Sequence, residues 1–263
     1  MTGFADDLRH ALDPVAWCKE RLGLELDQWQ ADAVRSTAPG LLFCCSRQAG
    51  KSTTGAVLVS HMATFAPESL SLLLSPALRQ SGEGLRNVAG LLARAGVEVS
   101  ESSKTSLVLS NGSRVLSLPA NEGTIRGYSS VNLIVEDEAA RVPDDTNRST
   151  RPMLAVSGGR HVLMSTPNGK RGHFWDAWNG EPGWERLQVT AQQCPRIPAA
   201  FLAQERRALG PRWFAQEYEC SFEEGDAQLF NFDVVMRALA NDVPVLFGPA
   251  GCPLPASSPL RAV

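Results

Sequence analysis

A strand that runs directly into a Gly-Lys-Ser turn is the feature that most constrains the fold of this chain. Residues 41–45 are the apolar run Leu-Leu-Phe-Cys-Cys, and Ser-Arg-Gln-Ala-Gly-Lys-Ser follows at 46–52. This is nearly the phosphate-binding pattern G-x-x-x-x-G-K-[ST], with Cys45 in the place of the first glycine. A helix-compatible stretch comes next at 53–65, so its N-terminal dipole would face an anion held by the loop.

The pattern gives each polar group of this loop its own task. Lys51 is expected to reach the β and γ oxygens of a nucleotide and the Ser52 hydroxyl to ligate Mg²⁺, while backbone N–H groups wrap the β-phosphate. The tripeptide alone is a weak signal, because a plain helix N-terminus also fits it, but the flanking strand and helix favour a nucleotide site. The predicted nucleotide contacts in this segment are Ser46, Arg47, Gln48, Ala49, Gly50, Lys51, Ser52 and Thr53.

Three consecutive carboxylates follow a second buried-strand pattern at 133–135. Burying Glu136, Asp137 and Glu138 together is costly unless a cation lies nearby, and Mg²⁺ with a triphosphate supplies one. The most natural assignment makes Asp137 the Mg²⁺ partner and Glu138 the base that orients the attacking water, with Glu136 pointing away. A one-residue slip, which gives these roles to Glu136 and Asp137, stays open, as does an acidic helix N-cap without a catalytic role.

Two arginines and a polar turn complete the set of candidate site residues. Arg47 lies inside the phosphate-binding loop and could contact a γ-phosphate or a carboxylate across the site. Arg126 stands on a loop between two glycines, where it could serve a transition state in its own or a neighbouring subunit, or pair with a surface acid. Ser165 and Thr166 end another apolar strand, and together with Asn168 they fit either a γ-phosphate sensor or an ordinary turn.

Composition narrows the classes of function. The net charge of −3 gives no support for nucleic-acid binding, although basic residues outnumber acidic ones between 141 and 171, as on a phosphate-facing surface or a solvated helix face. No apolar run approaches the ~18 residues that a membrane helix needs. The six cysteines include no C-x-x-C pair and the four histidines lack zinc-site spacing, so a reducing cytoplasm is the expected location.

The order of the predicted elements indicates an α/β fold. Helices and strands alternate after residue 40, which predicts a mostly parallel sheet flanked by helices, and Asn111-Gly112 predicts an added antiparallel β-hairpin. The polar clusters fall at the carboxyl ends of strands, where ligands bind in such sheets. We expect an N-terminal helical segment at 1–39, an NTPase core at 40–225, and a linker or partly disordered tail at 226–263.

These segments together resemble the ATPase domain of the large terminase subunit of tailed bacteriophages. An arginine inside an imperfect phosphate-binding loop, combined with an Ile-Arg-Gly loop, is more specific than the phosphate-binding loop alone. The likeness covers roughly residues 20–235, including the late run 213–222. The segments that carry it are Trp29-Gln30, 46–53, Thr124-Ile-Arg-Gly127, 133–140 and Ser165-Thr-Pro-Asn-Gly169.

The resemblance implies a RecA-like (ASCE) P-loop motor that uses ATP and Mg²⁺ to push double-stranded DNA into a procapsid, in the host cytoplasm at the portal. In such a motor Gln30 would recognise adenine, and Arg126 would act as a finger on the adjacent subunit of a ring. Ser165 and Thr166 would couple hydrolysis to movement. The implied partners are the portal protein, a small terminase subunit, and a nuclease domain or subunit, and the isolated chain could be a monomer.

One departure from that family concerns the nuclease that usually follows the motor. Only about 40 residues follow Phe222, and Asp226, Asp233 and Asp242 cannot by themselves build a nuclease core, so ATP hydrolysis without DNA cleavage is expected. Two alternatives stay open. A helicase-like translocase fits the acidic strand but normally has two motor domains, and a nucleotide-binding interaction module without turnover would suit the missing first glycine.

Overall fold

The computed structural model describes residues 3–120, 125 and 127–223. Arg126 lies outside the described residues, as do Asp226, Asp233, Asp242 and the rest of the predicted tail. Within the described part, no helix is both long enough and apolar enough to cross a membrane.

Helices and strands alternate through most of the described chain. The helices are α1 (Phe4–Leu12), α2 (Pro14–Arg21), α3 (Gln28–Arg35), α4 (Lys51–Phe65), α5 (Leu78–Ala95), α6 (Asp144–Thr150), α7 (Gly172–Trp178) and α8 (Ala199–Tyr218). The strands are β1 (Gly40–Cys45), β2 (Leu70–Ser75), β3 (Val99–Ser102), β4 (Ser106–Leu109), β5 (Arg114–Pro119), β6 (Leu133–Asp137), β7 (Arg160–Ser165) and β8 (Trp184–Val189).

The strands form one mixed sheet in the order β3-β4-β5-β2-β6-β7-β1-β8. From β5 to β8 every neighbouring pair is parallel, as crossover helices such as α4 require, whereas the pairs β3–β4 and β4–β5 are antiparallel. The predicted hairpin is the β4–β5 pair. Strand β3 extends it and was not predicted, because its sequence Val-Ser-Glu-Ser has no apolar alternation and lies on the exposed edge.

Side chains of the central strands alternate between two apolar layers. Leu41, Phe43 and Cys45 pack on the side covered by α4 and α5, whereas Leu42 and Cys44 pack against Phe174 of α7 on the other side. Because β1 is buried on both faces, all six of its residues are buried. The same alternation in β6 sends odd-numbered residues toward α4 and even-numbered residues toward α6 and α7, and this decides where the acidic side chains point.

Candidate nucleotide site

Three parallel strands end at the same level of the sheet and bring the predicted polar clusters together. Strand β7 lies between β1 and β6, with Cys44 opposite Ser165 and Asp137 opposite Met164. The loop after β1, the carboxylates of β6 and the Ser165-Thr166 pair of β7 therefore share one edge. This edge is where ligands bind in open parallel sheets.

The missing first glycine has a simple explanation in the backbone of β1. Cys45 is still part of that strand, pairs in register with Val189 of β8, and buries its side chain in the core below α4. An extended residue has no need of a glycine there. The turn comes later, at Gln48 and Gly50, whose φ angles are 60° and 98°, in the region that favours glycine.

The first two backbone amides of the loop donate hydrogen bonds to other parts of the protein. The N–H of Ser46 donates to the Val189 carbonyl at 2.8 Å, and the N–H of Arg47 donates to the Glu217 carbonyl at 3.0 Å. These two amides are used by the protein itself, and Ser46 and Ala49 are fully buried. Here the structure differs from the expectation that phosphate-facing amides begin at Ser46, because β1 continues its pairing with β8 for one residue more.

Gln30 lies behind the loop with its amide engaged at both ends. Its Oε1 accepts from the Asp27 N–H at 3.0 Å, and its Nε2 donates to Thr54 Oγ1 at 3.0 Å and to the Gly50 carbonyl at 3.4 Å. The side chain is buried. The arrangement differs from an amide free to read adenine: Gln30 caps α3 and supports the loop from behind.

A cavity of about 430 Å³ opens in front of the loop. On its floor the Ser52 hydroxyl donates to Asp137 Oδ2 at 3.2 Å, and Lys51 Nζ lies 3.0 Å from Glu138 Oε1. The structure thus joins the start of α4 to the end of β6 through two side-chain pairs. The cavity is lined by Arg47, Gln48, Gly50, Lys51, Ser52, Thr53, Gln80, Glu138, Arg141 and Thr166.

Ser52 and Asp137 form an oxygen pair that fits Mg²⁺. This ion takes oxygen ligands at ~2.1 Å in an octahedron, so neighbouring ligand oxygens are about 3 Å apart, close to the observed 3.2 Å. Burial raises the pKa of Asp137, although the charge of Lys51 opposes this effect. The described residues contain no group of three His, Cys, Asp or Glu that could hold a metal. Further ligands to Mg²⁺ would therefore come from phosphate oxygens and water.

Glu138 lies at the centre of the polar contacts and has an unusual backbone. Its φ of 54° and ψ of 42° are left-handed, and of the five non-glycine residues with positive φ in the described part, Glu138 and Gln48 both line the cavity. Such conformations cost about 1–3 kcal/mol each and concentrate at functional sites. The turn aims the carboxylate at Lys51 instead of continuing along β6.

The predicted sensor residues contact the same carboxylate, directly or through Arg141. Ser165 Oγ donates to Glu138 Oε2 at 3.4 Å. Arg141 Nη1 donates to Glu138 Oε2 at 2.8 Å and to Thr166 Oγ1 at 3.1 Å. The end of β7 is therefore linked to Glu138 by hydrogen bonds.

Comparisons with known proteins identify the family of the chain. The family model described as "Terminase large subunit, T4likevirus-type, N-terminal" matches residues 42–235. The chain belongs to the terminase large subunit family. The large terminase subunit of Escherichia phage T5 is 27% identical over 197 residues, which cover 72% of this chain and 45% of that protein. This chain therefore matches less than half the length of that relative.

Solved terminase structures share the fold. The large terminase ATPase domain of Thermus phage P74-26 superposes with a TM-score of 0.72 at 22% identity, covering 81% of this chain and all of that one. The HK97 large terminase gives 0.65 at 13% identity, over 81% of this chain and 55% of that one. The D6E large terminase with ADP gives 0.63 at 14% identity, over 75% and 54%. These likenesses confirm the predicted fold class.

In this terminase chain, Glu136 is buried on the opposite face of β6 from Asp137. Its Oε1 lies 2.8 Å from His161 Nε2 and its Oε2 lies 3.1 Å from His173 Nε2, and Asn147 Nδ2 donates to it at 3.3 Å. Burial works to raise the pKa of Glu136, but the hydrogen bonds from the two histidines outweigh it and the pKa is lowered. The geometry therefore favours Asp137 and Glu138, and not Glu136 and Asp137, as the pair that faces the cavity.

The Glu136→Gln variant is expected to lose stability. Glutamine keeps the shape but removes the charge that balances His173, and breaking one side of a buried ion pair typically costs about 3 kcal/mol or more. Urea unfolding of wild type and variant measures the difference. A change below about 0.5 kcal/mol, the range of ordinary surface substitutions, would contradict a structural role for this carboxylate.

The pH dependence of stability should report on His173. Its Nε2 lies 3.1 Å from Glu136 and its Nδ1 lies 3.1 Å from Asp144 Oδ1. Burial works to lower the pKa of His173, but the hydrogen bonds and charges of these two carboxylates outweigh it, and the pKa is raised above 6.5.

A raised pKa in the folded state means that the stabilisation is fully present below pH ~6.5 and is lost as the pH rises through the folded pKa. The free energy of unfolding should therefore fall as the pH rises above ~6.5, and the fall should be smaller in His173→Gln. Urea titrations at a series of pH values upward from ~6.5 measure this fall. Equal slopes in the two proteins would show that His173 gains no proton affinity on folding.

Four residues that were not predicted as site residues lie at or next to the cavity. Gln80 lies in the first turn of α5, beyond the end of β2, so the rule that ligands bind at strand ends could have found it. Arg141, three residues after Glu138, appeared only as part of a basic excess. Arg196 donates to the Ala49 carbonyl at 3.0 Å and pairs with Asp27, and Glu217 contacts Arg47. Glu217 belongs to the run 213–222 that is part of the family likeness, but that run does not indicate a contact with the loop.

Proposed function

We propose that this chain binds ATP with Mg²⁺ in the cavity between β1, β6 and β7 and hydrolyses it. The observation that carries the proposal is that Lys51, Ser52 and Glu138 line one cavity, with Asp137 3.2 Å from Ser52 and Glu138 3.0 Å from Lys51. A cation and a hydroxyl at the start of α4 and two carboxylates at the end of β6 are the parts that phosphoryl transfer to water needs.

Each of these side chains has a role that its position supports. Lys51, at the N-terminus of α4, would leave Glu138 and bind phosphate oxygens, helped by the helix dipole. Ser52 and Asp137 would hold Mg²⁺, which would neutralise charge on the phosphates. Freed from Lys51, Glu138 would accept a hydrogen bond from the attacking water and orient it. Arg47 and Arg141 would balance charge on the transferred group.

Two related structures support the choice of nucleotide. The D6E large terminase has been solved in complex with ADP and with ATP-γ-S. Because that protein shares the fold of this chain at only 14 and 13% identity, it supports the kind of ligand and not its contacts. The identities of individual contacts in this chain rest on its own geometry.

We further propose that hydrolysis drives double-stranded DNA into a procapsid. Membership of the terminase large subunit family supports this proposal, and the portal protein, a small terminase subunit and a nuclease are the partners that the family suggests. Arg126 keeps its proposed role as a finger, in the same or the adjacent subunit of a ring, from sequence alone. A host-cytoplasmic site of action follows from the same proposal.

Phosphate release from ATP tests the proposal. The purified chain should release phosphate with Mg²⁺, and double-stranded DNA should raise the rate above the rate with heparin at equal charge. ATP turnover without any response to DNA would contradict the proposal of a packaging motor but would agree with the proposal of ATP hydrolysis. Tight ATP binding with no phosphate release, with or without DNA, would instead favour the interaction module.

A further inference from the structure

Glu217, near the C-terminal end of α8, holds two arginines of the cavity at once. Its Oε2 accepts from Arg47 Nε at 2.7 Å, and its Oε1 accepts from Arg141 Nη2 at 3.3 Å. The carboxylate is 6% exposed, and the Glu217 backbone carbonyl accepts the Arg47 N–H at 3.0 Å. Both the main chain and the side chain of Glu217 therefore fix the start of the phosphate-binding loop.

The two arginines connect Glu217 to two parts of the cavity lining, the loop and Glu138. Arg47 is on the loop, with a side chain 59% exposed, while Arg141 reaches Glu138 Oε2 at 2.8 Å through its other terminal nitrogen. Only one side chain, Arg141, thus separates Glu217 from the proposed base. We therefore expect a change in the ion pair between Glu217 and Arg141 to alter the ion pair between Arg141 and Glu138.

The charge balance keeps Glu217 ionised. Burial works to raise its pKa, but the hydrogen bond from Arg47 and the charges of Arg47 and Arg141 outweigh burial, and the pKa is lowered. The buried carboxylate is paired on both oxygens, which meets the requirement for a stable buried charge. It also cancels part of the positive potential that a polyphosphate would meet in the cavity.

We propose that Glu217 is a positioning residue for ATP hydrolysis, which aims Arg47 into the cavity and orients Arg141, whose other terminal nitrogen contacts Glu138. This inference rests on the proposed ATPase function. Removing the charge of Glu217 should change catalysis and ATP binding in opposite directions. Loss of positioning slows the chemical step, whereas loss of a negative charge beside the cavity leaves polyphosphate binding equal or tighter.

The Glu217→Gln variant tests whether kcat falls while the affinity for ATP is kept. We expect kcat to fall about tenfold or more, as when a group that orients a catalytic contact is lost, while the Kd for ATP stays equal or decreases. Glu219→Gln is the matched control, because it makes the same change two residues away, in a carboxylate that pairs with Arg206. Equal kcat in the two variants would overturn the inference, and so would a weaker Kd that accompanies the lower kcat.

A double-mutant cycle with Arg47→Ala identifies the residue through which Glu217 acts. In the Arg47→Ala background, Glu217→Gln should reduce kcat by a smaller factor than in wild type, because one of its two arginines is already gone. Equal factors in both backgrounds would contradict action through Arg47. Thermal unfolding checks that each variant folds.

If Glu217→Gln does not fold, Glu217→Asp keeps the charge and shortens the reach by one methylene. A lower kcat with unweakened ATP binding is expected there too, and wild-type kcat would overturn the inference. The two proposals fail separately. Failure of wild type to bind or hydrolyse ATP contradicts the proposed function, whereas active wild type with unaffected Glu217 variants contradicts only the positioning role.

Discussion

The Lys51→Ala variant is expected to lose ATP turnover and to bind nucleotide more weakly. Lys51 begins α4, its charge acts on Asp137, and its Nζ lies 3.0 Å from Glu138. Losing a preorganised charge that stabilises the transition state typically lowers kcat by about 10²–10³-fold. Losing a hydrogen bond to a charged group weakens binding by about 1.5–3 kcal/mol, which is roughly ten- to hundredfold in Kd.

Steady-state phosphate release and equilibrium binding of a fluorescent ATP analogue measure the two effects. Lys104→Ala is the matched control, because Lys104 is exposed at the turn between β3 and β4, on the far edge of the sheet. We expect the control to behave as wild type. If Lys51→Ala matched Lys104→Ala in both assays, Lys51 would have no part in phosphate binding.

The Glu138→Gln variant should bind ATP and fail to hydrolyse it. Glutamine has nearly the shape of glutamate but cannot take the water proton, and losing a general base typically costs about 10²–10⁴-fold in rate. Binding should stay equal or become tighter, because Lys51 no longer pairs with a carboxylate and is free for phosphate. Stability should change little, unlike in Glu136→Gln, because Glu138 is partly exposed whereas Glu136 is fully buried.

Single-turnover phosphate release with excess protein gives the chemical rate for this comparison. Glu83→Gln is the matched control, because Glu83 pairs with Arg86 on the exposed face of α5. A Glu138→Gln rate within about twofold of that control would contradict the assignment of the base. Loss of ATP binding in Glu138→Gln would show that the carboxylate organises the cavity and does not act on water.

Much of the fold and of the site follows from local patterns. The apolar runs with their polar ends predicted the parallel core, and Asn111-Gly112 predicted the β4–β5 pair. Alternation along β6 separates Glu136 from Asp137, so the direction of each carboxylate follows from the side-chain period of a strand. These features can be predicted from the sequence because they depend on residues that are close together in the chain or on the position where a strand ends.

Some site contacts could not be predicted from the sequence because they join residues that are far apart along the chain. Arg47 and Glu217 are 170 residues apart, and nothing near Glu217 marks it as a partner of the loop. The resemblance suggested adenine recognition by Gln30, but the capping of α3 and the contact with Thr54 use both ends of its amide. Such competition between a predicted ligand and a neighbour within the protein becomes visible only when the packing is known.

A crystal structure of the Glu138→Gln variant with ATP and Mg²⁺ would test directly whether this cavity is an ATPase site. We expect a triphosphate in the cavity in front of the 46–52 loop, with Lys51 on phosphate oxygens and the metal bound by Ser52 and Asp137. The side chain at position 138 should face the γ-phosphate. ATP bound at another place, or a metal held by Glu136 in place of Asp137, would contradict the proposed site.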